Sequence, residues 1–466
     1  MEKRKAAALR AMMDPRGIAV IGASRDEESV GYGVLKSLVK GGVFHSAGAK
    51  PFAGGVYAVN PNAHEILGKK CYARVQDIPG RVDAAVICVP AKIVPQVMRD
   101  CAQKKVKAAI LISAGFAETG EAGRRLQEEV VAIARKGGMG VLGPNVLGII
   151  RPHSSLNASF ALSSPTAGKI AFVSQSGALA DSIVDWALEA RYGFSLLASV
   201  GNSADIDAAD LLEFCINDRE TKAVALYLEG LKDGRRFMEV ARRAARRKPV
   251  VLLKGGRSEG GRKAVISHTA SLAGDHAVYE AAMRQAGAFM AESVEDLLDL
   301  TKALSEQPRT KGRNVAIVTN GGGVGVLAAD YCEQYGLNVV GLKDSTLKKL
   351  DACGKMHPAY SRANPLDIVG DALPARYEAA CKILLGEKYV DGLIVVQTLQ
   401  TMTRSKEDAE AVVKAHDRHP GKPVVCVFMG GLYSAPGIAE LRRHNIPDYN
   451  DPLKAVKVMK VLCGVV

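Results

Sequence analysis

Aromatic side chains are scarce: Phe, Trp and Tyr make up 5% of the 466 residues, and there is a single Trp. The interior must therefore be filled by Val, Ile, Leu and Ala, as in parallel sheets whose strands are covered on both faces. Cysteine clustering is also missing. Nine Cys are spread from Cys71 to Cys463 with no CxxC and no Cys/His group, which argues against a disulfide framework or a structural zinc site. Several lie inside apolar runs, such as Ala-Val-Ile-Cys88-Val, and read as small hydrophobes in a reducing compartment. No run approaches the roughly 18 apolar residues of a membrane span. The opening Met1–Arg10 carries charges but no apolar core of a signal peptide. A soluble, cytoplasmic protein is expected.

What is present is ordinary globular composition, 48% apolar and 24% charged, which excludes a disordered, collagenous or coiled-coil chain. At roughly 150 residues per domain, the length suggests about three domains. The 62 basic against 49 acidic residues give +13. That excess suits an anionic ligand without choosing one.

Short apolar runs alternate with amphipathic stretches from end to end. Arg16–Ile21 runs into Gly22-Ala23-Ser24, Val56–Val59 into Asn60-Pro61, Asp83–Val89 into Pro90, and Ala108–Ile112 into Ser113. Helical patterns follow over Lys92–Lys105 and Ala122–Lys136. Strands alternating with helices imply a parallel sheet, with ligands collected at the strands' C-terminal ends. Gly143-Pro144-Asn145 closes this first part near residue 150.

The remainder reads as one α/β domain written twice. Val173-Ser-Gln-Ser-Gly-Ala aligns with Val318-Thr-Asn-Gly-Gly-Gly, and Asn202-Ser-Ala-Asp205 with Asn364-Pro-Leu-Asp367. Lys248-Pro-Val-Val aligns in turn with Lys422-Pro-Val-Val, so the order is preserved. The polar stretch Ser305–Gly312 reads as a linker. The first copy carries Glu229 after its strand Ala223–Leu228 and His268 beyond Gly255-Gly256; the second has no acid at the matching strand end Val395–Gln400 and no matching Ser-His-Thr segment after Gly430-Gly431. Catalysis, if one copy carries it, belongs to the first.

Three places could carry chemistry. Gly22-Ala23-Ser24-Arg25 ends a strand before a helix starting near Gly31–Gly33, a setting for a phosphate near a helix N-terminus. It lacks the full GxGxxG, and Asn60-Pro61 stands where a nicotinamide enzyme places an acid. That argues for a nucleotide-like ligand other than NAD, or for a plain strand-to-helix turn. Ser174-Gln175-Ser176-Gly177 precedes a helix starting near Ala178, and suits either an anion cradle or a simple Ser N-cap. His268 lies between a basic Gly-rich stretch and a helix starting near His276, in the setting of a mobile loop. Glu229 could orient its imidazole. The basic run Ala241–Lys248 has no aromatic context and reads as a solvated helix end rather than a nucleic-acid site.

The ordered set Ile21-Gly-Ala-Ser24, Val59-Asn-Pro61, Val89-Pro90, Ile112-Ser-Ala-Gly-Phe-Ala-Glu118, Gly143-Pro-Asn145, Ser174-Gln-Ser-Gly177, Val200-Gly-Asn202, Tyr227-Leu-Glu229 and Ser267-His-Thr-Ala-Ser-Leu-Ala-Gly274 resembles the α subunit of ADP-forming acyl-CoA synthetases, in the succinyl-CoA synthetase superfamily. The resemblance covers essentially the whole chain. It implies a Rossmann-like CoA-binding domain (1–149) and two flavodoxin-like ligase domains (150–308 and 309–466). The reaction implied interconverts acyl-CoA, ADP and phosphate with acid, CoA and ATP, through acyl phosphate and phosphohistidine. By the same resemblance His268 is the phosphorylated nucleophile, with Glu229 orienting it. Ser174, Gln175, Ser176 and Gly177 cradle phosphate. Gly22, Ala23, Ser24, Arg25, Pro61, Val89, Pro90 and Ser113 contact CoA, and Asn145, Gly201 and Asn202 shape the acyl pocket.

Three positions depart from the family's pattern: Asn62 where Lys often follows Asn-Pro, Ala270 where Gly commonly stands two beyond the His, and Val146 where Cys often follows Gly-Pro-Asn. No ATP-grasp pattern is visible, so Mg-ADP or ATP is expected on a separate ATP-grasp β subunit, as α2β2. No metal, nucleic acid or membrane is expected as a partner. A non-catalytic CoA-binding regulator or scaffold of the same fold, and an NAD-linked oxidoreductase, are the rival readings.

Overall fold

The computed structural model describes residues 1–44, 49–190, 192–269, 274–310 and 312–465, with side chains except at 189–190 and 266–269. The chain forms two compact units, Met1–Ser293 and Val294–Val466. Three sheets run through it, all built from short apolar strands with helices between them.

The first sheet holds β1 (Gly17–Ile21), β2 (Gly55–Val59), β3 (Glu65–Ile66), β4 (Lys69–Tyr72), β5 (Ala84–Ile87), β6 (Ala108–Leu111) and β7 (Gly140–Leu142), in the order β3-β4-β2-β1-β5-β6-β7. All pairs are parallel except β3–β4. Its central strands are buried along their whole length, which is why they read as continuous apolar runs. The chain winds outward from β1 and then returns to β5, so the crevice between these two strand ends is a topological switch point. The helix Val30–Lys40 that follows β1 is capped by Ser29, whose hydroxyl accepts from Tyr32 N, and stops at Gly41 with φ +92°.

The second sheet holds β8 (Gly148–Arg151), β9 (Leu156–Ser159), β10 (Ala167–Ser174), β11 (Phe194–Ser199), β12 (Ala223–Leu228), β13 (Val250–Lys254) and β14 (Phe289–Ala291), ordered β14-β13-β12-β10-β11-β8-β9. The five strands β10 to β14 are parallel in flavodoxin-like order, and β8 and β9 extend the β11 edge antiparallel. Its switch point lies between β10 and β12. The third sheet holds β15 (Asn314–Thr319), β16 (Asn338–Val339), β17 (Leu366–Asp367), β18 (Gly392–Gln397) and β19 (Val424–Phe428), parallel, ordered β16-β15-β18-β19 with β17 beside β15. The α/β architecture read from the sequence is thus the one observed.

Two expectations shift. The helix Val294–Glu306 extends into the stretch read as a linker. The helical pattern over Lys92–Lys105 splits into a 3-10 turn at Ala91–Ile93 and a helix Val94–Gln103, with Pro95 in its first turn. The basic run behaves as a helix end: Lys248 Nζ donates to Cys215 O (2.6 Å) and Asp218 O (2.5 Å), and Arg243 pairs with Glu213. Among the described residues no helix is long and apolar enough to cross a membrane.

The N-terminal helix Lys3–Met13 locks the first two sheets together. Arg4 forks onto the buried Asp205 carboxylate, with both contacts at 2.7 Å, and Val141 N donates to the same group at 3.0 Å. Burial alone would raise the Asp205 carboxyl, but Arg4 and the Val141 N–H outweigh it and hold it below the ordinary Asp value. A depressed carboxyl stabilises the fold above its unfolded pKa of 3.8 and loses that contribution as pH falls through the folded value. Arg4→Ala should therefore cost about 2 kcal/mol at pH 7, the arginine side chain being only 16% exposed. Urea midpoints compared at pH 7 and pH 3 should show the deficit shrinking in acid. A deficit constant across that range would assign it to packing.

Candidate active site

At the first switch point four strand ends converge. Gly22 takes φ +89°, and a Cβ there would lie 2.9 Å from both Cys88 O and Val89 Cγ1, so only glycine lets β1 turn against the end of β5. Gly31 comes closer still: a Cβ would fall 1.9 Å from Gly22 O, which lets the helix seat on the turn. Asn60 Nδ2 donates to Ala23 O (2.8 Å), tying the end of β2 to that of β1. Ser113, just past β6, donates to Val89 O at 2.5 Å. Gly22, Ala23, Ser24, Pro61, Val89, Pro90 and Ser113 thus stand on adjacent strand ends, with Arg25, Pro61 and Pro90 exposed. The Ser24 hydroxyl accepts from Asp26 N (3.0 Å).

At the second switch point β10 ends in a tight turn. Ser174 Oγ donates to Ser176 O (2.7 Å) and accepts from Ser176 N (3.0 Å), so its hydroxyl locks the turn rather than facing outward. Ser176 caps the helix Gly177–Ala190 by accepting from Leu179 N (3.2 Å). The N-cap reading therefore holds, and the hydroxyl hydrogen of Ser176 and the first N–H groups of the helix remain as donors. Gln175 clamps this turn to the end of β12. Its amide donates to Gly230 O (2.9 Å), accepts from Gly230 N (3.0 Å) and accepts from Glu229 N.

Glu229 is only 5% exposed, an ionisable group with no reason to be there on packing grounds. Tyr227 OH donates to its Oε1 at 3.4 Å. Burial first, then the Glu229 charge, pushes the Tyr227 hydroxyl up to about 12. Lys254, fully buried at the end of β13, donates to Glu229 O (2.8 Å) and lies over the Tyr279 ring. Burial draws its ammonium below the ordinary Lys value, with Glu229 pulling the other way. Gly255 makes room for the group, since a Cβ would sit 2.8 Å from Tyr227 OH. Sequence reasoning missed Lys254 and Tyr227, although a lysine closing an all-apolar strand was a visible signal.

The two switch points meet through backbone. Gly201 takes φ +48°, and a Cβ would lie 2.3 Å from both Pro144 O and Asn145 O. Asn202 N donates to Pro144 O (3.0 Å), Ala204 N to Gly143 O (2.9 Å) and Asn145 N to Ser113 O (3.1 Å). The side chain of Asn202 reaches Glu118 Oε2 (2.5 Å) and Gln127 Oε1 (3.0 Å). Burial would raise the Glu118 carboxyl, but Asn202 and the N–H groups of Phe116 and Gly115 hold it below its usual range. Asn145, Gly201 and Asn202 are thus brought together, while Asn202 spends its amide on Glu118, which the site reading had left out.

His268 departs from its expected loop. The backbone is helical over Glu259–Thr269 because Ser258 caps the Gly260-Gly261 pair, accepting from Gly261 N (3.1 Å), while Lys263 pairs with Glu259 at 2.9 Å. This helix lies beside the turn Ala117–Thr119. The side chain of His268 is outside the described residues.

The third sheet repeats the turn without the acid. Thr319 Oγ1 donates to Gly321 O (2.9 Å) and accepts from Gly321 N (3.0 Å), and Asn320 bonds both Thr398 N (2.7 Å) and Thr398 O (2.9 Å), as Gln175 does across its own sheet. Thr398 stands where the first copy has Glu229. Gln397 instead donates to Asp408 (2.6 Å), whose carboxyl burial pushes up to about 7. Among the described residues no group of His, Cys, Asp and Glu could hold a metal ion.

Comparison with known proteins fits these three sheets. Residues 16–152 match the model of a CoA-binding domain, 167–304 a succinyl-CoA ligase-like flavodoxin domain, and 315–462 a ligase-CoA domain. The chain is 44% identical over 444 residues to the alpha subunit of ADP-forming acetate–CoA ligase II of Pyrococcus furiosus, covering 94% of each. It is 40% identical to the alpha subunit of ligase I of the same organism, covering 97% of each. The ADP-forming acetate–CoA ligase I of Archaeoglobus fulgidus is a longer protein, 42% identical, of which the chain spans 62%. Among solved structures, the acetyl-coenzyme A synthetase 1 of Ca. Korarchaeum cryptofilum, in complex with phosphate and ADP, matches at TM-score 0.91 and 38% identity, over 98% of this chain and 97% of that one.

Gly201→Ala should cost about 3 kcal/mol or more, because it combines a disfavoured φ with a backbone clash that cannot relax cheaply. Thermal melting of the purified chain reads this. A melting point within a degree of wild type would mean that the close approach is not maintained.

Proposed function

The chain belongs to the family of ADP-forming acetate–CoA ligase alpha subunits, and on that premise we propose which of its residues carry the reaction and with what partner. CoA is a substrate, held at the first switch point. The tight Gly22 turn ahead of the helix Val30–Lys40, and the exposed Arg25 beside it, support a pyrophosphate-bearing ligand there. We retain three domains, 1–149, 150–308 and 309–466.

The chemistry then proceeds in three transfers. A phosphate oxygen, bound by the N–H groups at Gly177 and the Ser176 hydroxyl, attacks the thioester carbonyl carbon. The C–S bond breaks, and CoA leaves as thiolate and takes up a proton. His268 next attacks the phosphorus of the acyl phosphate, the P–O bond to the acyl group breaks, and the carboxylate departs. ADP finally accepts the phosphoryl group from phosphohistidine. Glu229 acts as a positioning residue, fixing the imidazole tautomer and balancing the charge that develops on the ring. The observation that carries this reading is the buried acid Glu229, whose backbone N–H and that of Gly230 both donate to Gln175 in the turn that starts the Gly177 helix.

The names of the two Pyrococcus relatives, alpha subunits, support a second subunit. We assign to it an ATP-grasp fold that binds Mg-ADP or ATP, in an α2β2 assembly in the cytoplasm. Acetyl-CoA is the first acyl donor to try, because these relatives are named for acetate.

The chain purified with its β partner should release CoA from acetyl-CoA only when phosphate is present, and make ATP when ADP is added. His268→Asn should fold, keep CoA binding by calorimetry and lose ATP formation altogether. Normal ATP formation by that variant would overturn the assignment, and CoA binding without turnover in wild type would favour a scaffold.

A further inference from the structure

One buried hydroxyl beside the phosphate turn has no partner. Ser199 is the last residue of β11 and pairs in register with Ser174 of β10. It is fully buried, and its Oγ has no hydrogen-bond partner. Leaving a polar group buried and unpaired costs on the order of 1–3 kcal/mol. Native structures leave only a few such groups, and each calls for an explanation such as strain, a bound water or an ion.

Its position names that ligand. A Cβ built on Gly177, the first residue of the helix at the turn, would lie 3.4 Å from Leu147 N and 3.8 Å from Ser199 Oγ. Gly177 thus leaves a notch of about one atom. It is walled by the Ser199 hydroxyl on one side and, on the other, by the Leu147 Cβ (3.6 Å) and backbone N, and that N–H has no backbone acceptor among the described residues. Leu147 continues the Gly143-Pro144-Asn145 turn, and Ser199 leads directly into Val200-Gly201. The notch therefore lies where the phosphate turn meets the acyl-pocket backbone. Two neutral donors facing one small gap at a helix N-terminus suit a single anionic oxygen.

We propose that Ser199 is a phosphate-binding residue, donating its hydroxyl hydrogen to one non-bridging oxygen of inorganic phosphate, and of the acyl phosphate formed from it. This rests on the phosphate reading of the Gly177 turn. Ser199 makes or breaks no covalent bond. It fixes which face of the phosphate is turned toward the thioester carbon, and the oxygen that it holds is not the attacking one.

The test uses the enzyme assembled with its β partner, with inorganic phosphate and acetyl-CoA as probes. Ser199→Ala should raise KM for phosphate about tenfold, as expected for one hydrogen bond lost to a charged ligand, with KM for acetyl-CoA unchanged. Without phosphate the variant should melt at or above the wild-type temperature, since it removes an unsatisfied group. Added phosphate should raise the melting temperature of wild type more than that of the variant. Gly177→Ala, whose methyl fills the notch without a clash, should raise KM for phosphate in the same way. A wild-type phosphate KM in both variants would overturn the inference alone. A wild-type enzyme that releases no CoA on addition of phosphate would overturn the phosphate reading and the inference together.

Discussion

The site depends on one close backbone approach. At Gly201 the chain passes so near the carbonyls of Pro144 and Asn145 that no side chain fits between them. Each of the two sheets has its own crevice at a switch point, and either alone would be an ordinary ligand cleft. Pressed together at Gly201, the end of the first sheet and the Ser174–Gly177 turn of the second share a wall. On the far side, the Arg4 fork onto Asp205 holds the segment that follows Gly201 against β7, so the contact is fastened from two directions. The rate of a phosphoryl transfer depends mainly on positioning and charge. On the proposed assignment, a rigid seam between the CoA crevice and the phosphate turn supplies the first.

Charge is the second requirement, and the proposed mechanism places it at Glu229. A carboxylate removed from water is costly unless it is held by donors. Here the strand end is gripped by Gln175 through its backbone and by Lys254 through its carbonyl, while Tyr227 turns its hydroxyl toward the carboxylate. The third sheet has the same kind of turn at Thr319–Gly321 and the same kind of amide bridge from Asn320, yet carries Thr398 and an Asp408 whose carboxyl burial pushes up to about 7 instead. The duplication has kept the scaffold of the turn in both copies and the buried acid in one.

Much of this was legible in the sequence. Apolar runs that stop at Gly22, Asn60, Pro90 and Ser113 foretold strand ends, because a parallel strand buried on both faces reads as a near-continuous apolar run. The Ser174–Gly177 turn was visible as hydroxyls and a glycine after such a run. What the sequence hid were competitions between neighbours for the same hydrogen bonds. Ser174 spends its hydroxyl on Ser176, and Asn202 spends its amide on Glu118, and neither choice follows from spacing alone. The helix through Thr269 was hidden for a similar reason. Two glycines suggested a loop, but the Ser258 cap and the Glu259–Lys263 pair hold a helix across them. Ser199 was invisible because an isolated serine in an apolar strand resembles any small residue until its missing partner is seen.

The central claim is that Glu229 works through His268 in phosphoryl transfer and not in the attack of phosphate on the thioester. The most direct measurement is a single turnover of acetyl-CoA and ³²P-phosphate by the assembled enzyme, with wild type and Glu229→Gln compared. CoA release and label on His268 are followed in the same samples. Glu229→Gln keeps the shape and removes the charge, so the account predicts that labelling slows about 10²-fold, the scale on which such groups act, while CoA release changes little. Labelling of His268 at the wild-type rate would reduce Glu229 to a buried structural acid and contradict the account.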